Sequence, residues 1–311
     1  MRARTAGVEQ MSIEDVVIID IDNTSVGPIE EGGLGRYHNW PHAYHGELIN
    51  TVSSGNPKAL LFDVIFDEEN TYKYDLVRAL SSASNNRSND LSEATNQFLY
   101  SNDPGKFVSA TANSNQTYHA IVFEEEDTLN FLPKMLSEPE GYEFANHIIR
   151  GVSDEAKTKL PQADRIGNTY VDLLSASTGN GSANFPQDND GVIRRAPTAI
   201  YFDGADHVYP SLVMSAVIDI LGIKKDGGFD YDFENNLLNL IDSTDTIVRT
   251  IPIDDNGRMY VNYFGKFQTF YYLPYSYCMD PEMLPPDYWE GKVALVGASL
   301  PGLMDLRNTP V

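Results

Sequence analysis

The residues whose types and spacing best suit chemistry lie in VVIIDIDNTSVG, Val16 to Gly27, where an apolar run ends in Asp20 and Asp22, one residue apart. Two carboxylates at the end of a buried strand suit catalysis, as in a phosphatase. They equally suit the polar end of a strand in a protein that catalyses nothing. The histidines offer less. His38 and His42 share a helix face only if the helix begins before Pro41, and Trp40 and Pro41 stand between them, so His38, His42 and His45 are expected at the surface or in caps. With one cysteine, Cys278, neither an intrachain disulfide nor a cysteine zinc cage can form. There is no G-x-S-x-G elbow, Walker loop or G-x-G-x-x-G turn, and GGLG lies too far from the first apolar run to act as a dinucleotide turn.

The elements that must position these residues follow from the apolar pattern. Val16 to Ile21 is continuous and rich in β-branched residues, as in a strand buried on both faces. A glycine-rich loop then feeds a helix with Pro41 in its first turn, stopped by Ser54, Gly55, Asn56 and Pro57, and Ala59 to Phe66 is a second buried strand. These three form a β-α-β unit with a right-handed crossover. Asp75 to Ser82 reads as a short helix, Val108 to Ala112 and His119 to Phe123 as strands, and Tyr170 to Ser177 as a strand before a turn-rich segment. Tyr209 to Leu221 reads as a helix with Pro210 in its first turn; Leu212, Ala216, Val217 and Ile220 share one face, and Gly222 ends it. Hairpin-like strands surround it, and Lys292 to Gly297 is a last buried strand.

This pattern predicts an α/β fold: a mixed, largely parallel central sheet flanked by helices, with antiparallel hairpins in the second half. Residues 1–311 read as one domain with a poorly patterned inserted region at about 84–168. The net charge of -23 argues against nucleic acid or an anionic membrane surface as partner; cations and cationic partners fit better, and the simpler reading, which is preferred, is that the charge only keeps the domain soluble. No apolar run approaches the ~20 residues that span a bilayer, and the start lacks the apolar core of a signal peptide.

The stretch VVII-Asp20-Ile21-Asp22-Asn23-Thr24 resembles the nucleophile motif of the haloacid dehalogenase superfamily. That resemblance implies a magnesium-dependent phosphatase in which the first aspartate attacks phosphorus and the second shuttles the proton. It also requires a lysine and a later acidic pair. Here VALVG is followed by Ala298 and Ser299, Asp305 lies too far along to belong to an adjacent pair, and Lys292 precedes its strand.

Four segments, in order, resemble the type two CHASE family, the cyclase and histidine-kinase associated sensory extracellular domains of bacterial transmembrane receptors. They are VVIIDIDNTS; GRYHNWPHAYHGELINTVSSGNPKALLFDVIFDE with its Trp-Pro helix; SANFPQDNDGVIRRAPTAIYFDGADHVYPSLVMSAV with Asp-x-Asp-Gly-x-x-Arg-Arg and Tyr-Pro-Ser-Leu; and YWEGKVALVGASLPGLMDLRNTPV. Where the family continues Trp-Pro with arginine, this chain has His42.

The resemblance implies a non-catalytic, extracytoplasmic (periplasmic or extracellular) input domain. Its parent would be a receptor in the cell membrane with a cytoplasmic adenylate or guanylate cyclase or histidine kinase output. Flanking membrane helices outside this chain and a homodimeric parent are expected with it. No cofactor is expected, and the ligand is an unidentified small molecule or cation. In an open α/β sheet it would bind at the C-terminal edge of the strands, so Asp20, Asp22, Trp40, Asp63, Arg194 and Asp305 are the candidate contacts. For each of these the competing reading is structural: aspartates capping loops, Trp40 in the core, and Arg194 and Arg195 paired with Asp188 and Asp190 to brace a turn. A purely structural dimerisation module also fits.

Overall fold

Strand β1 (Val16–Ile21) is the expected apolar run, and helix α1 (His42–Ser54) begins after Pro41, which is its N-cap residue. The structure, a computed structural model, describes residues 13–66, 105–124, 147–167, 169–265 and 268–300. The helix expected at Asp75 to Ser82 lies outside these residues. Strand β2 (Ala59–Phe62) is shorter than expected, because the chain then turns to bury Phe66 beneath α1.

Helix α2 (Gly105–Ser114) replaces the strand expected at Val108 to Ala112; its buried residues Phe107, Ala110 and Thr111 recur at helical spacing. Strand β3 (Thr117–Glu124) follows. Helix α3 (Asp154–Lys159), capped by Ser153 Oγ accepting from Ala156 N, leads to β4 (Gln162–Ala163) and β5 (Arg165–Gly167).

Two further expectations are reversed. Tyr170 to Ser177 contains helix α4 (Val171–Ala176) rather than a strand, since a short apolar run does not reveal its own period. Gly179 to Ser182, expected as a turn, is the fully buried strand β6 (Gly179–Ser182).

The second half carries the expected antiparallel ribbons. Strands β7 (Arg195–Pro197), β8 (Ala199–Phe202) and β9 (His207–Pro210) precede helix α5 (Leu212–Leu221). Tyr209 and Pro210 therefore belong to a strand, and Ser211 caps the helix while Gly222 ends it in the left-handed region. Strands β10 (Phe229–Asp232), β11 (Leu237–Ile241) and β12 (Ile247–Pro252) form an antiparallel sheet, and β13 (Arg258–Tyr260) pairs with β7. Strand β14 (Tyr271–Pro274), helix α6 (Tyr275–Met279) and β15 (Val293–Ala298) close the described chain.

The central sheet has the order β14-β1-β15-β2-β3-β5, with β6 also on β3. All its pairs are parallel except β3 with β5. The β1–β2 unit is therefore not a pair of neighbours: β15 is inserted between them. The connections β1 to β2, β2 to β3, β3 to β6 and β14 to β15 all advance in one direction along the sheet. Right-handed crossovers then put α1, α2, α4 and α6 on one face, where α1 packs on α2 and α6, and α2 on α4.

Alternation along β2 separates two cores. Leu60 and Phe62 face the α1 layer, while Ala59 and Leu61 face Leu212 and Ala216 of α5. The other flank of α5 carries Met214 and Ile218 into a third core with Leu238 and Leu240 of β11. A helix clamped on two sides buries more than one stripe, so Met214, Ser215 and Ile218 are buried while Ile220, expected inside, is exposed.

Helix α5 lies so close to β6 that side chains do not fit between them. A Cβ on Gly181 would sit 2.6 Å from Leu212 N, and one on Gly179 would meet Ser215 Oγ at 2.5 Å and overlap the His147 ring. Gly179→Ala is expected to lower stability by roughly 2–3 kcal/mol in urea titration. Gly297→Ala, where an added Cβ meets nothing within 4 Å among the described residues, is expected to change it by less than about 0.5 kcal/mol.

Candidate functional site

The sheet register assembles part of the expected edge. Asp20 of β1 is level with Gly297 of β15, and Phe62 of β2 is level with Val296, so Asp63 follows in the same row. Its backbone N–H donates to Val296 O at 3.0 Å. With strands ~4.8 Å apart, the Asp20 and Asp63 backbones lie ~10 Å from each other across Gly297. Val17, Ile19 and Ile21 face the α1 layer, so Asp20 points to the opposite face, where its charge, after burial, raises the Tyr272 phenol.

Asp20 is committed to the chain itself. It is 6% exposed, and Ser299 donates to both oxygens, from its backbone N–H to Oδ1 at 2.9 Å and from Oγ to Oδ2 at 2.7 Å. The first strand is thereby clipped to the loop leaving the last one. Asp22 braces the turn after β1: its Oδ1 accepts from Ser25 N at 2.8 Å and Ser25 Oγ at 2.7 Å. Ser25 Oγ in turn accepts from Ser276 N of α6 at 3.2 Å. This geometry gives Asp20 and Asp22 the role of strand-end clamps, each oxygen of Asp20 already accepting one hydrogen bond from Ser299.

The remaining candidates do not join that row. Trp40 is 3% exposed, donates from Nε1 to Gly35 O at 2.9 Å, and packs on Tyr37 and Tyr275, each with ring centroids 5.0 Å away. Arg194 forms a two-pronged pair with Asp190, at 2.9 and 2.8 Å, beside the β7–β13 ribbon. Its hydrogen bonds hold the Asp190 carboxyl down to about 2. Arg195 bridges Asp188 and Asp254, and Arg258 also reaches Asp254, so the charged turn is tied to the hairpin opposite. This is the structural ion-pair reading. Asp305 lies outside the described residues.

Nor does the edge have the crevice expected of a doubly wound sheet, which forms where neighbouring connections leave to opposite faces. The described connections that leave β1 and β2, the strands leading to Asp20 and Asp63, both run over the α1 face, and the return from β6 to β14 carries α5 over the other. Among the described residues no cluster of three or more histidine, cysteine or acidic side chains is arranged to hold a metal ion.

Two constellations escaped the sequence reading. His147 Nδ1 meets Ser215 Oγ at 2.7 Å and its Nε2 meets Asp219 Oδ2 at 3.1 Å, while Tyr118 Oη donates to Asp219 at 2.9 Å. The residue types are those of a nucleophilic triad, but Ser215 is wholly buried, and the network pins α5 to β3 instead. No sequence spacing joins residues 147 and 215.

The second constellation overturns the surface assignment of His45 and draws His42 partly inward, and it includes His119, for which no such assignment was made. His45 is 2% exposed and His119 wholly buried, and both pack with His42 around the rings of Phe66 and Phe107. His38 is exposed, as expected. The helix starts at His42 and turns this ring and that of His45 inward, where burial draws the His42 imidazole down to about 4 and the His119 imidazole down to about 3. An isolated histidine inside the apolar strand YHAIVF was the available signal for His119. Cys278 is buried in the same apolar core, near Tyr275, its thiol pushed up to about 12 by burial, which suppresses its nucleophilicity.

The decisive observation about kinship covers the whole length: the chain matches the CHASE2 domain over residues 1–311. The chain belongs to the CHASE2 family. No curated protein and no solved structure matches it. CHASE2 domains are sensory extracellular domains, and the segments that carried the resemblance have structural roles here. Trp40 and Pro41 open α1 on the core side, and Asp188, Asp190, Arg194 and Arg195 form the braced turn. Ser211 caps α5, and Asn184 continues the edge of β3 by bonding both Phe123 N and Phe123 O, at 2.9 and 2.6 Å.

The Asp20–Ser299 clip gives a direct test. Ser299→Ala is expected to cost about 1–2 kcal/mol and Asp20→Ala about 2–3 kcal/mol. The double substitution should cost little more than Asp20→Ala alone, with a coupling of about 1 kcal/mol in a double-mutant cycle by urea unfolding.

Proposed function

We propose that this CHASE2 chain is the extracytoplasmic input domain of a bacterial membrane receptor that governs a cytoplasmic cyclase or histidine kinase. The single observation that carries this reading is the family match over residues 1–311. No helix among the described residues is long and apolar enough to cross a membrane, so in this reading the anchors lie in segments of the parent protein other than those described. The parent works as a dimer, and the strands of each copy transmit a small displacement to the membrane.

The ligand is a small molecule or cation that meets the sheet edge at Asp20, Asp22 and Asp63. The net charge of -23 favours a cation or a cationic group. Gly297 supports a contact there, since it leaves open space between the two aspartate-bearing strands. A ligand shifts the receptor only through its differential affinity for two states, and loosening or tightening the Asp20–Ser299 clip would supply two such states.

Thermal unfolding in the presence of divalent cations and small metabolites tests the reading. A ligand at a hundred times its dissociation constant adds about 2.7 kcal/mol, which should raise the midpoint by roughly 5 °C. The same ligand should shift Asp20→Asn less. Magnesium-dependent hydrolysis of phosphate esters, abolished in Asp20→Asn, would overturn the sensory reading in favour of a phosphatase.

A further inference from the structure

Three imidazoles share one apolar compartment beneath α1. The His42 and His45 ring centroids are 6.0 Å apart, and each lies within 5.6 Å of both Phe66 and Phe107. His119, on β3, stacks on Phe62 at 4.9 Å and touches the same Phe66 and Phe107 rings. The polar partners are few. His45 Nδ1 meets Tyr275 Oη at 2.6 Å and His119 Nε2 meets Thr111 Oγ1 at 3.4 Å, while His42 Nδ1 and His119 Nδ1 are buried with no hydrogen-bond partner among the described residues.

Such a compartment has nowhere to put a proton. Among the described residues, the titratable groups around it are the phenols of Tyr37, Tyr170 and Tyr275 and the Cys278 thiol, with Glu47 on the outer side of α1 and Lys106 at the start of α2. Among the described residues no carboxylate acts on any of the three imidazoles. Burial comes first for each, and for His45 repulsion by His42 and His119 adds to it. Each histidine is therefore held neutral well below its ordinary range.

The compartment is also the seam of the helical layer. Helix α1 and helix α2 approach so closely that a Cβ on Gly46 would lie 2.8 Å from Lys106 O. A seam this tight can hydrate a charged imidazole at His45 or His119 only by opening, while His42 stands at its half-buried rim.

We propose that the His42–His45–His119 cluster makes this domain acid-responsive, with proton uptake by the cluster parting α1 from α2 while the β10–β12 sheet stays folded. The proposal rests on the cluster alone and holds whatever ligand the sheet edge takes.

The sign follows from linkage. The unfolded or opened state binds protons near the ordinary histidine pKa of about 6.5, and the closed state does not. The closed state is therefore favoured above that pH and weakened as pH falls from about 6.5 toward the depressed values. Each histidine contributes up to about a tenfold loss per pH unit, so three together contribute up to about a thousandfold. The acidic surface is not the source in this window, because ordinary carboxylates titrate below it.

Hydrogen exchange by mass spectrometry, corrected for intrinsic rate, between pH 7.5 and 5.0 tests this on the wild type and on His42→Phe/His119→Phe, which keeps both rings but removes two titrating groups. Protection in α1 and α2 should fall with acid in the wild type, relative to β10–β12, and the double variant should show about one third of the pH slope. A loss that is uniform over the chain, or a slope unchanged in the double variant, overturns the proposal. If the double variant does not fold, NMR titration of the wild-type imidazoles decides: cluster resonances that remain neutral at pH 5.0 with α1 protection intact would likewise overturn it.

Discussion

The insertion of β15 between β1 and β2 is the constraint on which the rest of the structure depends. Six register positions join β1 to β15, and four join β15 to β2. Until the last described strand arrives, the first two have no common partner, and the rows Leu60, Phe62 and Ala294, Val296 do not close beneath α1. The Asp20–Ser299 clip sits at the end of this arrangement and joins residues 279 positions apart. A pairing of such sequence separation costs loop-closure entropy before it returns any burial, a cost that slows folding.

From that sheet, two layers follow by handedness and alternation. One-directional crossovers send α1, α2, α4 and α6 to a single face. The other face takes α5, whose two flanks tie the sheet to the antiparallel β10–β12 unit. The glycines of β6 make the approach possible, and the His147–Ser215–Asp219 network holds it.

The two aspartates that resemble a nucleophile motif illustrate how local pattern and tertiary use diverge. In isolation their spacing suits phosphoryl transfer. In the folded chain Ser299 occupies both oxygens of Asp20, and Ser25 ties Asp22 into a turn. The charged run at Asp188 to Arg195 diverges less: its pairing was readable because partners four to seven residues apart meet within one turn. Val108 to Ala112 and Tyr170 to Ser177 were misread as strands because five to eight apolar-leaning residues fit either period. Gly179 to Ser182 was misread as a turn because its burial depends on α5 lying over it, which its own composition does not record.

The sequence by itself determined the α/β class, the apolar runs β1 and β15, the hairpins of the second half, the cap and stop of α5, and membership of a sensory family. These depend on residues near one another in the chain, whose spacing and turn chemistry act locally. Only the tertiary structure decided the strand order, the single-faced helical layer, the gathering of His42, His45 and His119 around one apolar compartment, and the commitment of Asp20 to Ser299. The physical reason is that a side chain's surroundings are made by elements distant in sequence: His45 becomes a core residue because Tyr275, 230 positions away, closes over it.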